Sequence, residues 1–363
     1  MASSRMRSWF PTTSHPLVVS APMDFVANAK LATEVTKAGG LGFFQGGRDF
    51  SPESPVLKKL DEQLTQAREL LDSRPTISDS DTLPIGVGFI TYAASTRYFG
   101  ETIVPILQRH RPAAIWLFAP SPAAPDTLPA IIKTLKPKLD VDSDLTWTPK
   151  VIVQVGSVAT ARQAASHGAD VIVAQGTDAG GHQCANGAGF VSLVPEIVDM
   201  LRDEFPDRDI AVWAAGGIAD GRGVAAALVL GAEAAVLGTR YMVATESDAQ
   251  DFKRRAILST SDGALNTVKS QVHDHIQGNM NWPDVYDGRA IRTPTYEDYR
   301  AGVPLDENTK RFKAAKESGD LSRMVTWSGT GVGLIKEELP AAEITRRVRG
   351  GAIKAIAGLN ASL

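Results

Sequence analysis

The sequence has little of several features that would indicate other classes of protein. Its single cysteine, Cys184, excludes an intramolecular disulfide. No apolar run approaches the roughly 20 residues that cross a bilayer, and residues 1–16 lack the apolar core of a secretory signal. The net charge is only -3, which gives no electrostatic basis for binding nucleic acid or a membrane surface. We therefore expect a cytoplasmic protein, monomeric or homodimeric, whose partner is a small molecule.

Three further features, among the histidines and at the two ends of the sequence, lead to predictions. The six histidines show no metal-ligand spacing except His273-x-His275, for which no other ligands are evident, so no metal is predicted. Residues 1–16 are interrupted by Pro11 and are interpreted as an extended lead-in. The final Ala-Ser-Leu is similar to a peroxisomal tripeptide, but its middle residue is not basic, so the peroxisome is only a weakly supported alternative.

What the sequence does contain is a repeated alternation of short apolar runs and segments of helical period, typical of parallel strands joined by crossover helices. The runs lack polar alternation, as expected for strands that are covered on both faces. Predicted strands lie at 17–21, 41–44, 84–90, 113–118, 151–155, 170–175, 210–215 and 234–238, and predicted helices near 57–72, 95–109, 126–137 and 192–204.

One unit occurs twice, as VGSVATARQAASHGADVIVAQGT and AGGIADGRGVAAALVLGAEAAVLGT. In each copy an N-capping residue, Ser157 or Asp220, precedes an alanine-rich helix, and Gly168 or Gly231 ends it. Both copies have the same strand–helix form, whereas the winding of a doubly wound sheet must reverse at one point. The repeat therefore favours a (β/α)8 TIM barrel. We predict an α/β barrel over residues 1–242, a helical extension covering the barrel mouth over 243–330, and a C-terminal segment over 331–363 that packs back on the barrel.

Two glycine loops follow the last two predicted strands, where TIM barrels commonly bind phosphate. Gly216 and Gly217 follow the seventh strand, and Gly238 and Thr239 follow the eighth. Glycine lets backbone N–H groups approach a phosphate closely, although tight turns alone would also explain either loop. Arg222 and Arg240 are weaker candidates, because surface arginines are common.

Other strand ends offer groups that suit a planar ring. Pro22 and Met23 follow the first strand, Gly88 brings bare backbone to the third, and Gln154 ends the fifth with an amide for the edge of a heterocycle. Met23 as plain core and Gly88 as close packing are the alternatives. A phosphate site beside these groups fits flavin mononucleotide (FMN) better than a sugar phosphate, although lyases and epimerases use the same phosphate loops.

A histidine stands on a glycine hinge after the sixth strand, in QGTDAGGH. Gly180 and Gly181 allow a tight loop that aims His182 at the chemical face of the barrel, where an imidazole can take a proton from a weakly acidic carbon. Asp178 either orients His182 or caps the loop, and Cys184 is interpreted as a bystander because no separate base accompanies it.

These motifs resemble the nitronate monooxygenases, a family of FMN-dependent TIM barrels. The resemblance lies in residues 21–44, 153–182 and 214–242, with AGGH, GGIADGRG and LGTR as the most specific stretches. It implies that His182 deprotonates a neutral nitroalkane, that Pro22, Met23 and Gln154 line the flavin ring, and that the glycines and Thr239 hold ring, ribityl or phosphate groups. The chain departs from the pattern of many relatives at Gly88 and Thr330.

The implied reaction is oxidation of an alkyl nitronate, or of a nitroalkane, by O2 to a carbonyl compound and nitrite without nicotinamide. Two alternatives stay open on the sequence: an NAD(P)H-dependent flavin quinone or enoyl reductase, and a non-redox phosphate-binding lyase or epimerase.

Overall fold

The computed structural model describes residues 2–72, 82–136 and 147–362, and within them it confirms the predicted alternation of strands and helices. Eleven strands lie in these residues: β1 (Leu17–Ser20), β2 (Phe43–Gln45), β3 (Leu83–Ile90), β4 (Pro112–Phe118), β5 (Lys150–Val155), β6 (Val171–Gln175), β7 (Gly181–Cys184), β8 (Ala211–Ala215), β9 (Ala234–Leu237), β10 (Thr267–Ser270) and β11 (Tyr286–Ile291).

Eight of these strands form one parallel sheet in the order β1-β9-β8-β6-β5-β4-β3-β2. A parallel bridge between Val19 and Leu41 places the chain before β2 beside β1 and closes the sheet. The (β/α)8 TIM barrel predicted from the sequence is therefore confirmed, and all eight predicted strands are present within one or two residues of their expected bounds.

Sixteen helices accompany the strands in the described residues: α1 (Ala2–Trp9), α2 (Ala29–Lys37), α3 (Pro55–Asp72), α4 (Phe99–Thr102), α5 (Val104–His110), α6 (Thr127–Leu135), α7 (Val158–Ser166), α8 (Phe190–Glu204), α9 (Gly221–Val229), α10 (Thr239–Met242), α11 (Asp251–Ser259), α12 (Gly263–Asn266), α13 (Val272–His275), α14 (Pro294–Arg300), α15 (Leu305–Ser318) and α16 (Ala341–Ser362). Residue 137 of the predicted helix 126–137 and Leu363 of the C-terminal tripeptide lie outside the described residues. In the part of the chain that is described, no helix combines the length and apolar character needed to cross a membrane.

The repeated unit is built as its sequence predicts. Ser157 caps α7 through a reciprocal pair of hydrogen bonds with Thr160, and the Asp220 side chain accepts from the backbone of Arg222 and Gly223 at the start of α9. Gly168 and Gly231, with φ of 102° and 101°, end the two units in the left-handed region that glycine adopts freely.

The barrel interior contains large aromatic side chains from three of its strands, β2, β4 and β8. The rings of Phe43, Trp116 and Trp213 lie 5.4 to 6.5 Å apart in tilted or edge-to-face arrangements, and each is at most 2% exposed. A larger aliphatic core lies between the outer face of the sheet and the helices. Close packing of this kind holds the carboxyl ends of the strands, and so the site, in fixed positions.

Two predictions about local structure are wrong. The N-terminal segment is not extended but forms α1, which covers the amino end of the barrel: Met6 Sδ lies 3.4 Å from Trp213 Nε1. The helix predicted at 95–109 is broken into a 3-10 turn, α4 and α5, because Pro105 lacks a backbone N–H and can be accommodated only in the first turn of a new helix.

The segment after residue 242 covers the barrel mouth as predicted, but it is not purely helical. Its strands β10 and β11 pair with β7 in a second, antiparallel sheet in the order β10-β11-β7. Beyond it, α16 packs against the barrel: Tyr241 Oη lies 2.8 Å from Thr345 Oγ1, and Arg349 Nη2 donates to the carbonyl of Ala38 at 2.6 Å. The domain boundaries at 242 and 330 remain predictions.

Candidate functional site

A cavity of about 410 Å³ lies at the carboxyl ends of the eight barrel strands, beneath the extension. This is the face on which TIM barrels bind ligands, and the volume lies in the usual range for small-molecule sites. The structure brings ten predicted residues together in its wall: Pro22, Met23, Gln154, Gly180, Gly181, His182, Gly216, Gly217, Gly238 and Thr239.

Gly88 is the one predicted site residue that does not line this cavity. A Cβ built on Gly88 would lie 2.4 Å from Pro22 Cβ, far inside van der Waals contact. The absence of a side chain at Gly88 therefore lets the β1 loop pack down on β3, and Pro22 rather than Gly88 faces the cavity. In this structure Gly88 supports the cavity wall without forming part of it.

The two glycine loops present unused hydrogen-bond donors. Within the described residues, the backbone N–H groups of Gly217, Ile218 and Thr239 have no acceptor. Gly216 and Gly217 adopt φ of 99° and 73°, which only glycine reaches without strain. A cluster of free backbone N–H groups in a concave loop is a favourable environment for an anion.

The charged groups predicted to help this anion site are placed elsewhere. The N-terminus of α9 is capped by the Asp220 carboxylate, so its first N–H groups are already satisfied. Arg222 is exposed and paired with Asp220, while Arg240 is buried and donates to the carbonyl of Glu337. Neither arginine lines the cavity, so the N–H groups of Gly217, Ile218 and Thr239 carry the site.

Two glutamines at adjacent strand ends present opposite hydrogen-bonding groups. Trp116 Nε1 donates to Gln154 Oε1 at 3.0 Å, which fixes that amide with its NH2 group free. Gln175 Nε2 donates to the carbonyl of His182 at 3.2 Å, while its buried Oε1 has no partner in the described part of the chain. A buried acceptor without a partner costs about 1–3 kcal/mol, and a ligand donor would remove that cost.

His182 is the second residue of β7, and its ring is enclosed by groups from the extension. Nε2 lies 2.9 Å from both carboxylate oxygens of Asp274 on α13. The ring stacks on Trp282 with centroids 3.8 Å apart and an interplanar angle of 10°, and Trp327 lies on another side at 4.8 Å. The imidazole is thus held by a charge partner and two indoles at the cavity wall.

Asp178, the acid closest to His182 in sequence, does not orient it. Thr330 Oγ1 donates to Asp178 Oδ1 at 2.8 Å, and the Asp178 carbonyl accepts from the Thr330 backbone, so this acid joins two loops. Cys184 lies against Gly156, and burial raises the pKa of its thiol, which agrees with its interpretation as a bystander.

His273, in the His273-x-His275 pair, is buried and bonded within the extension. Burial lowers the pKa of His273 to about 4, its Nε2 lies 3.2 Å from the Val268 carbonyl, and it does not line the cavity. Across the described ranges, no group of three or more acids, histidines and cysteines could hold a metal ion.

Further charged residues line the cavity without having been predicted. Burial raises the pKa of Asp24, opposed mainly by attraction to Arg48, and burial lowers the pKa of Lys253. Arg48 and Lys253 form no salt bridge within the described residues. The cavity therefore carries cationic groups on the side where the extension meets the β1 and β2 loops.

The most important residues missed from sequence lie in the extension. Asp274 stands between the two histidines of His273-x-His275, a motif weighed only as a metal site, and Trp282 and Trp327 come from stretches without a strand or helix pattern. Asp274 is the residue of this group that bonds His182 directly. Its distance of 92 residues from His182 gave no local signal.

Comparisons with known proteins identify the family of the chain. Residues 131–349 match the family described as Nitronate monooxygenase. A nitronate monooxygenase of Neurospora crassa is 52% identical over 360 residues, covering 96% of this chain and 92% of its own, and one of Metarhizium robertsii is 37% identical, covering 93% and 91%. The solved structure of FabK from Thermotoga maritima is 25% identical with a TM-score of 0.72 over 99% of both chains. The chain therefore belongs to the nitronate monooxygenase family and is a flavin-dependent oxidoreductase.

Proposed function

We propose that the protein binds FMN in the barrel-mouth cavity and oxidises alkyl nitronates, and nitroalkanes after deprotonation, with O2 to carbonyl compounds and nitrite. The observation that carries the proposal is the position of His182 in the same cavity as the two glycine loops with free N–H groups. Family membership and the two fungal relatives named as nitronate monooxygenases support the substrate class.

The cavity has groups that suit both ends of FMN. The N–H groups of Gly217, Ile218 and Thr239 would hold the phosphate, while the Gln154 amide donor and the unpartnered Gln175 acceptor would meet the polar edge of the ring. Pro22 and Met23 would lie along the ring system. When bound, FMN would supply the electron-transfer chemistry that amino-acid side chains lack.

The residues of the chain then have separate tasks. His182 takes the proton from the carbon next to the nitro group of a neutral substrate, so that the negative charge moves onto the nitro oxygens. Trp282 and Trp327 restrict water around the imidazole, and the cationic Arg48 and Lys253 favour an anionic nitronate in the cavity. A preformed nitronate needs no base, so its oxidation would be independent of His182.

The first experiment is a visible spectrum of the purified protein, before and after addition of FMN, followed by nitrite release from propyl nitronate. We expect a flavin absorption band at about 450 nm and nitrite formation that depends on O2 and not on NADH. NADH oxidation with a quinone, without nitrite from the nitronate, would assign the protein to the reductase alternative. A protein that binds no flavin after reconstitution would leave only the lyase or epimerase alternative, which family membership already argues against.

A further inference from the structure

His182 and Asp274 form a pair that is more constrained than an ordinary surface contact. Both Asp274 oxygens lie 2.9 Å from the same nitrogen, Nε2, and the Asp274 side chain is 5% exposed. Asn279 Nδ2 also donates to Asp274 Oδ1, at the longer distance of 3.3 Å. Stacking on Trp282 prevents the imidazole from leaving this geometry by rotation.

The pair determines which ring nitrogen carries the proton in neutral His182. A carboxylate accepts hydrogen bonds and cannot donate, so Nε2 must be the protonated nitrogen. Nδ1 is then the nitrogen with the free lone pair. Nδ1 makes no hydrogen bond within the described residues and is accessible to solvent, so a substrate in the cavity can reach it.

The pair also determines where a positive charge is stabilised. His182 is the only basic side chain in an ion pair with Asp274 in the described residues, although His273, Asp24, Asp287 and Tyr92 all interact with the pair at longer range. A buried carboxylate without a cation is costly, and a proton on Nδ1 would turn its partner into an imidazolium. Proton uptake by His182 therefore completes a buried ion pair.

We propose that Asp274 is the positioning residue of the base: it holds His182 with Nε2 protonated, so that Nδ1 accepts the substrate proton, and it stabilises the imidazolium that results. In this step the C–H bond next to the nitro group breaks and its electron pair forms the C=N bond of the nitronate, while the π pair of the N=O bond moves onto oxygen. The proton forms a new bond with Nδ1. The inference rests on the proposed function and adds the acceptor atom and its partner.

The kinetic test compares Asp274→Asn with wild type on nitroethane, which must lose a proton, and on ethyl nitronate, which need not. We expect kcat/KM for nitroethane to fall by about 100-fold, with a larger primary deuterium isotope effect, because proton transfer becomes more rate-limiting. The value for ethyl nitronate should stay within about threefold. Asp178→Asn is the matched control, since Asp178 bonds Thr330 and any loss there should be equal for both substrates.

A second readout needs no turnover and does not depend on the folding of Asp274→Asn. In protein labelled with 15N-histidine and free of substrate, the nitrogen shifts of His182, assigned by their loss in His182→Asn, should report a protonated Nε2 and an unprotonated Nδ1. A protonated Nδ1 in the neutral ring, or equal losses on both substrates in Asp274→Asn, would overturn the inference.

The two proposals fail differently. If wild-type protein with bound FMN releases no nitrite from ethyl nitronate, the proposed function is wrong whatever the tautomer. If it oxidises the nitronate but not nitroethane, the proposed oxidation of nitronates holds, its extension to nitroalkanes is wrong, and the role of the His182–Asp274 pair in proton transfer is overturned.

Discussion

Glu233, at the amino end of the barrel, gives a prediction about stability that is independent of the site. It immediately precedes β9, and its side chain is 9% exposed. Arg5 Nη1 from α1 lies 3.2 Å from Glu233 Oε1, while Oε2 is buried without a hydrogen-bond partner in the described residues. Burial raises the pKa of Glu233 to about 7, because desolvation and the nearby Asp209 outweigh the attraction of Arg5.

The direction of the pH effect follows from that pKa. In the unfolded chain the carboxyl has its ordinary pKa of 4.5, so the protonated form is favoured by folding. The stabilisation is complete below about pH 4.5, falls as the pH rises towards 7, and is absent above it. A difference of about 2.5 pH units corresponds to about 3 kcal/mol of folding free energy between pH 4.5 and 8.

Glu233→Gln keeps an acceptor for Arg5 and removes the titration. We expect urea midpoints of wild type and variant to be similar at pH 4.5 and the variant to be more stable by up to about 3 kcal/mol at pH 8. Glu204→Gln is the control: pairing with Arg162 lowers the pKa of Glu204, so it does not gain a proton as the pH falls from 8 towards neutrality, and its removal should leave the pH dependence between about pH 6 and 8 unchanged. A pH dependence in Glu233→Gln that equals the wild-type dependence would refute the reasoning.

Three further predictions concern the cavity. His182→Asn should retain FMN and turnover of propyl nitronate but lose activity on neutral nitroalkanes by about 100-fold or more at neutral pH, and equal losses in nitrite release on both would show that His182 does more than accept a proton. Gly217 has φ of 73°, and a Cβ there would lie 2.8 Å from the Asp178 Cβ, so Gly217→Ala should weaken FMN binding at least about tenfold in a fluorescence titration. Gly319 has a similar φ of 76° but open space around it, so the control Gly319→Ala should cost only about 1–2 kcal/mol of stability. Gly88→Ala should push Pro22 away and so weaken FMN binding, although residue 88 does not itself line the cavity; unchanged affinity and an unchanged flavin spectrum would contradict this.

The barrel was predictable because its determinants are local. Each strand is an apolar run, and each repeated unit contains its own cap and stop, such as Ser157 and Gly168. The glycine loops could be placed at one end of the barrel because all parallel strands present their carboxyl ends there. Ten of the eleven predicted site residues therefore line one cavity.

The rest depends on contacts that sequence spacing does not encode. β11 has a period-two pattern in which Tyr286, Gly288 and Ala290 point inwards, but it lies in a polar region and its partner is the loop that carries His182. Asp274 meets His182 only after that pairing has formed. Asp178 was the candidate nearest His182 in the sequence, but its carboxylate accepts a hydrogen bond from Thr330, a residue 152 positions away.

The second sheet connects the two halves of the site. His182 pairs with Gly288 across β7 and β11, and a Cβ on Gly288 would lie 2.4 Å from the Trp327 ring that flanks the imidazole. Because a shift of one residue in this register would turn His182 to the opposite face, the extension fixes the base as well as covering it. The barrel strand ends supply the glycine loops and the two glutamines, whereas the extension supplies Asp274, Trp282 and Trp327. Substitutions in the extension should therefore alter proton transfer and substrate choice, while substitutions in the barrel loops should alter flavin affinity.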